Sequence, residues 1–126
     1  MDNSQARAMA AALDPDRECP IVYAMNILSS KWMMPIIWHL LVDGNMSFND
    51  LSRAVGGISN TMLTRCLKQL VENGLIVKTD CGGAPPRVMY FLSEIGEGLI
   101  PTMQCLFQWG NMVMDRAKGK NGVRST

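Results

Sequence analysis

Residues 46–92, MSFNDLSRAVGGISNTMLTRCLKQLVENGLIVKTDCGGAPPRVMYFL, decide the fold. Met46-Ser47-Phe48 suits a very short strand, and Ser47 followed by Asp50 has the spacing of a capping box for a short helix over 49–55. Gly56-Gly57 stops that helix. Ser59 stands as N-cap of the next one, and Gly74 ends it. Between them Met62, Leu63, Cys66, Leu67, Leu70 and Val71 fall on one helical face, while Thr61, Thr64, Arg65, Lys68 and Glu72 fall on the other. Residues 75–80 (LIVKTD) and 87–92 (RVMYFL) are rich in β-branched and aromatic side chains, and the intervening CGGAPP is turn material, so a hairpin follows. A short helix, a glycine turn, an amphipathic helix and a hairpin form the element order of a winged helix-turn-helix. The fold class expected is therefore α+β and mostly helical, with a two-stranded wing.

Upstream, an Ala-rich N-terminal helix ends at Asp14-Pro15. Cys19 takes the N-cap position of the next helix because Pro20 suits the first helical position. Ile21, Ala24, Met25 and Leu28 then recur at helical period. Ser29-Ser30 is expected to cap a helix over 31–42, whose Trp32, Met33, Ile36, Ile37, Trp38, Leu40 and Leu41 leave little polar surface. That is the expected core helix, with Pro35 near its first turn and His39 buried. Downstream, Ser93 caps a last helical region reaching about residue 117, weakened at its start by Gly96, Gly98 and Pro101. The domain reading is an arm over 1–18, a winged domain over 19–92, a dimerisation helix over 93–117 and a frayed tail over 118–126.

The chain has 126 residues, of which 48% are hydrophobic and 18% charged, enough apolar material for one domain with a real core. The longest apolar run, 32–42, is too short to cross a bilayer. The N-terminus lacks a basic start followed by an apolar block. The expectation is a soluble cytoplasmic protein without a membrane partner. Four scattered cysteines without a CxxC pair and a lone histidine offer no zinc-ligand cluster, so neither metal nor cofactor is expected. There is no phosphate-loop glycine pattern and no nucleophile–base pair that spacing brings together, which argues against an enzyme.

The net charge of +1 is unevenly spread. Residues 1–52 set Arg7, Arg17 and Lys31 against Asp2, Asp14, Asp16, Glu18, Asp43 and Asp50, for −3. Residues 53–90 set Arg53, Arg65, Lys68, Lys78 and Arg87 against Glu72 and Asp80, for +3. A positive middle segment steers a polyanion, although an imbalance of this size also arises by chance. The helix from Ser59 is roughly 20 Å long, enough to lie across a major groove. Near its start it carries Ser59, Asn60, Thr61, Thr64, Arg65 and Lys68, whose hydroxyl, amide and cationic groups suit phosphates and base edges. A solvated helix face has the same composition. Lys78 and Arg87 flank the Gly-Gly tip, placed to reach backbone beside that helix. Arg53 completes the expected double-stranded-DNA contacts.

The stretches CPIVYAMNILSSKWMMPIIWHLL, FNDL, GISNTMLTRCLKQLVENGLI, APPRVMYFLSEIG and LFQWG occur in this order between Cys19 and Gly110. Together they resemble the HxlR family of bacterial winged-helix transcriptional regulators. The resemblance implies a dimeric DNA-binding repressor or activator with MarR-like architecture. Ser29-Ser30 stands where the family usually has Gly-Gly before Lys-Trp. Many relatives have a basic residue near Thr61, and an acidic residue commonly precedes the strand tyrosine where this chain has Met89. These departures bear on specificity more than on fold. Some relatives sense oxidants or electrophiles through a cysteine at the position of Cys19, which makes that thiol a candidate redox sensor. A helix N-terminus raises thiolate content, Asp16 and Glu18 oppose this, and a purely structural cap is the other reading. Cys66 belongs to the apolar face, and Cys81 lies at the wing base.

The final helical region is apolar on nearly every side, with Leu99, Ile100, Met103, Leu106, Phe107, Trp109, Met112, Val113 and Met114. A terminal helix of that kind is hard to bury within a small monomer, and packing on its copy in a homodimer solves the problem. Dimerisation is accordingly assigned to Leu99, Met103, Leu106, Phe107, Trp109, Met112 and Val113. Two-fold symmetry then sets two reading helices about 34 Å apart and implies an inverted-repeat operator. The eleven methionines suit either a Met-rich core or a hydrophobic effector pocket, so the candidate effectors are a small molecule or an oxidant. The alternative function is a winged-helix module that binds protein without DNA.

Overall fold

The computed structural model describes residues 2–121. The chain divides into two compact units, the first ending at Ser30 and the second beginning at Lys31. Residues 19–30, read from sequence with the winged domain, thus fall in the first unit. That unit holds α1 (Ser4–Ala11) and α2 (Pro20–Ile27). Pro20 occupies the first position of α2, where a missing amide costs nothing, and the Cys19 carbonyl accepts the Tyr23 N–H at 3.0 Å. The Cys19 side chain makes no capping hydrogen bond. Ile21 and Met25 on the apolar stripe are 70% and 54% exposed, while Ala24 and Leu28 are half-buried.

The second unit begins with α3 (Met33–Asp43), which supplies Met33, Ile36, Ile37 and Leu40 to the core. This helix starts two positions later than the sequence reading placed it, and the reason lies in Pro35. A helix starting at Lys31 would need an amide from Pro35 for its ladder. With Trp32 as N-cap, the first bond runs from the Ile36 N–H to the Trp32 carbonyl, and Pro35 falls among positions whose amides have no intrahelical partner. His39 is half-exposed rather than buried, its Nδ1 lying 3.7 Å from the Asp43 carboxylate one turn on.

Then come α4 (Phe48–Val55) and α5 (Asn60–Glu72). Both are capped as their sequences imply. Ser47 Oγ accepts the Asp50 N–H and the Asp50 carboxylate accepts the Ser47 N–H, closing the box on α4. Ser59 Oγ accepts the Met62 N–H. Gly56 and Gly57 both take positive φ between the two helices, a backbone that glycine adopts without Cβ strain.

Strands β1 (Ile76–Asp80) and β2 (Val88–Leu92) pair antiparallel with Lys78 opposite Tyr90. Met46 adds an isolated antiparallel bridge to Tyr90, so the short strand expected there is reduced to one residue on the far side of β2. α3 packs against α4, β2 and α7 (Ile100–Asn121), while α5 packs against β1.

The single helical region expected after Ser93 is two helices, α6 (Glu94–Glu97) and α7. Ser93 Oγ donates to the Gly74 carbonyl and accepts the Gly96 N–H, while the Ser93 N–H donates to the Leu75 carbonyl. These bonds seat α6 so tightly that a Cβ on buried Gly96 would lie 2.1 Å from the Leu75 carbonyl oxygen. Pro101 then falls in the first turn of α7, where its lost amide is harmless. α7 continues past residue 117, so the stretch expected to fray is helical to Asn121; residues 122–126 of that predicted tail lie outside the described residues.

Candidate nucleic-acid interface

α5 is held from beneath. Leu63, Cys66, Leu67 and Leu70 are buried, each at 2% exposure or less, which fixes the rotation of the helix about its axis. Val71, assigned to the same face from its spacing, sits at that face's margin and is 36% exposed. Fixed in this way, α5 turns Asn60, Thr61, Thr64, Arg65 and Lys68 to solvent as one continuous strip, with Ser59 exposed at its head. Positions 61, 65 and 68 and positions 60 and 64 are neighbours one turn apart. Ser59 differs from the others in function, because its oxygen is already an acceptor for the Met62 amide. Its hydroxyl proton remains the group it can offer to a phosphate.

The basic residues outside α5 divide into two places. Arg53 is exposed and its Nη2 lies 2.8 Å from Asp50 Oδ1. The Ser47 backbone and side-chain hydrogen bonds hold the Asp50 carboxyl below its ordinary value, and the positive charges of Arg53 and Arg87 add to that shift. Arg87 stands at the base of the wing turn, where its N–H donates to the Gly82 carbonyl and its carbonyl accepts from the Cys81 N–H.

Lys78 lies elsewhere than its sequence position suggests. It does not flank the turn but stands in mid-strand opposite Tyr90, on the same sheet face as buried Ile76. Consequently Lys78 shares a cleft with Thr64 and Lys68 of α5. Sequence spacing alone could not bring Lys68 and Lys78 together; the strand register does. Phe48, Tyr90 and Val71 also line that cleft, a grouping that no spacing in the sequence signals.

The residues assigned to dimerisation separate into two sets. Met103 is buried against the winged unit and Leu99 is half-buried. Leu106, Phe107, Trp109, Met112 and Val113 are 41–60% exposed, and Met114 is 67% exposed. Phe107 also stacks on Trp38 of α3, with ring centroids 5.1 Å apart and planes inclined by 23°. Cys19, Cys81 and Cys105 are exposed free thiols and Cys66 is buried. Among the described residues no group of three His, Cys, Asp or Glu side chains gathers for a metal ion, and no helix is long and apolar enough to cross a membrane.

Known proteins share this fold. Residues 27–118 match the model of the HxlR-like helix-turn-helix family. A putative regulatory protein MalR of Fusobacterium mortiferum is 33% identical over 93 residues, covering 74% of this chain and 88% of the relative. The crystal structure of a putative MarR-family transcriptional regulator from Porphyromonas gingivalis W83 superposes with a TM-score of 0.69 at 35% identity, covering 78% of this chain and 95% of that one. The redox regulator HypR in its reduced form gives a TM-score of 0.73 at 28% identity, over 80% of this chain and 99% of that one.

Proposed function

The chain belongs to the HxlR-like helix-turn-helix family of DNA-binding transcriptional regulators, and we propose that it reads an inverted-repeat operator as a homodimer through the exposed strip of α5. The observation that carries this reading is the strip itself: a solvent-facing row of amide, hydroxyl and cationic side chains on a helix whose opposite face is locked into the core.

In this reading Arg65 and Asn60 meet base edges, because guanidinium and carboxamide groups form the bidentate pairs that distinguish guanine and adenine. Thr61, Thr64, Lys68 and the Ser59 hydroxyl hold backbone phosphates at the same groove. Lys78, Arg87 and Arg53 add charge along the flanking strand, with Arg53 the weakest contributor because Asp50 already engages it. Neutralising several phosphates per subunit makes binding steeply salt dependent.

Dimerisation follows from α7. Its row from Leu106 to Val113 would expose aromatic and aliphatic area to water in a lone chain. A second copy related by a two-fold axis covers the same patch with itself. The pair of α5 helices then engages half-sites about 34 Å, one helical turn, apart. Selection of duplexes from random sequence at physiological salt tests this: an enriched inverted repeat is expected, whereas an unenriched pool contradicts it.

Cys19 is proposed as an oxidant-responsive thiol. It is exposed at the N-terminus of α2, and its sulfur is not engaged in capping. Support comes also from the likeness to a redox regulator. Oxidant treatment should change duplex affinity in the wild type and leave Cys19→Ser unaffected; an equal response in both removes Cys19 from the account.

A further inference from the structure

The first two turns of α5 divide by exposure. Leu63, Cys66 and Leu67 are buried to 2% or less, while Asn60, Thr61, Thr64 and Arg65 face solvent. Met62 falls between the two sets: it is half-buried, the one apolar side chain of these turns that the core leaves partly open. The Ser59 cap fixes its place, because the Met62 N–H donates to Ser59 Oγ at 3.1 Å and anchors the first turn. At about 3.6 residues per turn, Met62 lies across the helix axis from Val71, which lines a cleft with Lys78 and Tyr90 of the hairpin. It lies beside Arg65, three residues on. Met62 and Arg65 therefore share the edge of the strip away from the hairpin, at the helix end whose residues meet base edges in helix-turn-helix proteins.

Resting on the reading of α5 given above, we propose that Met62 is a specificity-determining residue. Its side chain packs on the 5-methyl group of a thymine, one base pair from the guanine that Arg65 takes. Thymine is the base that presents an apolar group in the major groove, and the polar side chains of the strip have little to offer it. An unbranched thioether has the reach and the adaptability to cover that methyl. The spacing sets which pair it meets. Three residues rise about 4.5 Å along the helix, close to the roughly 3.4 Å between successive base pairs, so Met62 and Arg65 meet neighbouring pairs rather than the same one.

The test replaces each thymine of the selected operator by deoxyuridine, one position at a time, and measures duplex affinity by fluorescence anisotropy. Only the methyl group is removed, and base pairing is kept. The wild type should lose about fourfold per half-site, the equivalent of one buried methyl, at the thymine beside the pair whose discrimination Arg65→Ala loses. Met62→Ala, a good helix former at a half-open position, should bind the thymine and deoxyuridine duplexes equally. Thr61→Ser, which removes a neighbouring methyl and keeps the hydroxyl, should retain the preference for thymine. A flat deoxyuridine scan of the wild type overturns the assignment without calling on any variant to fold. A preference that survives Met62→Ala, disappears in Thr61→Ser, or lies away from the Arg65 pair overturns it as well. Failure of the wild type to hold any duplex at low salt overturns the reading of α5 and this assignment with it, whereas a flat scan on a tightly held operator overturns this assignment alone.

Discussion

At position 50 one carboxylate closes the cap of α4 and meets the charge of two guanidinium groups. Both tasks favour its ionised form, so its folded-state pKa lies below the ordinary 3.8. A depressed carboxyl stabilises the folded chain above its unfolded pKa, and the stabilisation disappears as pH falls through the lower folded value. Asp50→Asn keeps a neutral acceptor for the Ser47 amide but removes the charge. The variant should melt below the wild type at neutral pH, and the gap should close in acid below about pH 4. Thermal melts across that range check it; a gap independent of pH contradicts the assignment. This residue was legible in the sequence, because a capping box is a contact between neighbours four positions long. Lys78 was legible as a basic residue of the hairpin but not as a neighbour of Lys68, since one strand register decides which face of the hairpin it joins. His39 misled for a related reason: an apolar neighbourhood in sequence says nothing about which side of α3 meets water.

The elements show the same division between local and long-range information. Ser47 and Ser59 cap α4 and α5 as read, because side-chain capping bonds are made within three residues, although α4 starts at Phe48, one position before the start read from sequence. The start of α3 was misjudged because two serines looked like a cap while Pro35 set the ladder's origin. The break between α6 and α7 was visible only as weak glycines. Its cause is tertiary: Gly96 must come against the Leu75 backbone for Ser93 to bond Gly74 and Leu75. Gly96→Ala should therefore destabilise the chain by about 1–3 kcal/mol, the usual cost of overpacking. Gly119→Ala, whose added methyl meets nothing within 4 Å, should not destabilise it. Equilibrium urea unfolding of both variants tests the contrast, and equal behaviour of the two would contradict the close approach.

On the scale of the molecule, a helix α5 locked into the core and a helix α7 with an exposed apolar row belong to the same unit. The winged architecture was readable from element order between residues 46 and 92, and the apolar excess of α7 was readable from composition. What the sequence could not tell was which α7 residues the chain covers for itself; Met103 is covered and Trp109, at 60% exposure, is not. Trp109→Asp should thus leave the melting of the winged unit intact yet shift sedimentation from dimer to monomer. A variant that still sediments as a dimer would move the interface elsewhere. With the selected operator in hand, the most direct measurement is duplex affinity across every single base-pair substitution, for wild type, Arg65→Ala and Lys78→Ala. Arg65→Ala should lose about 1–3 kcal/mol of discrimination at two symmetry-related positions, one per half-site, while Lys78→Ala weakens all duplexes alike. An Arg65→Ala profile that superimposes on the wild type would contradict a reading helix at α5.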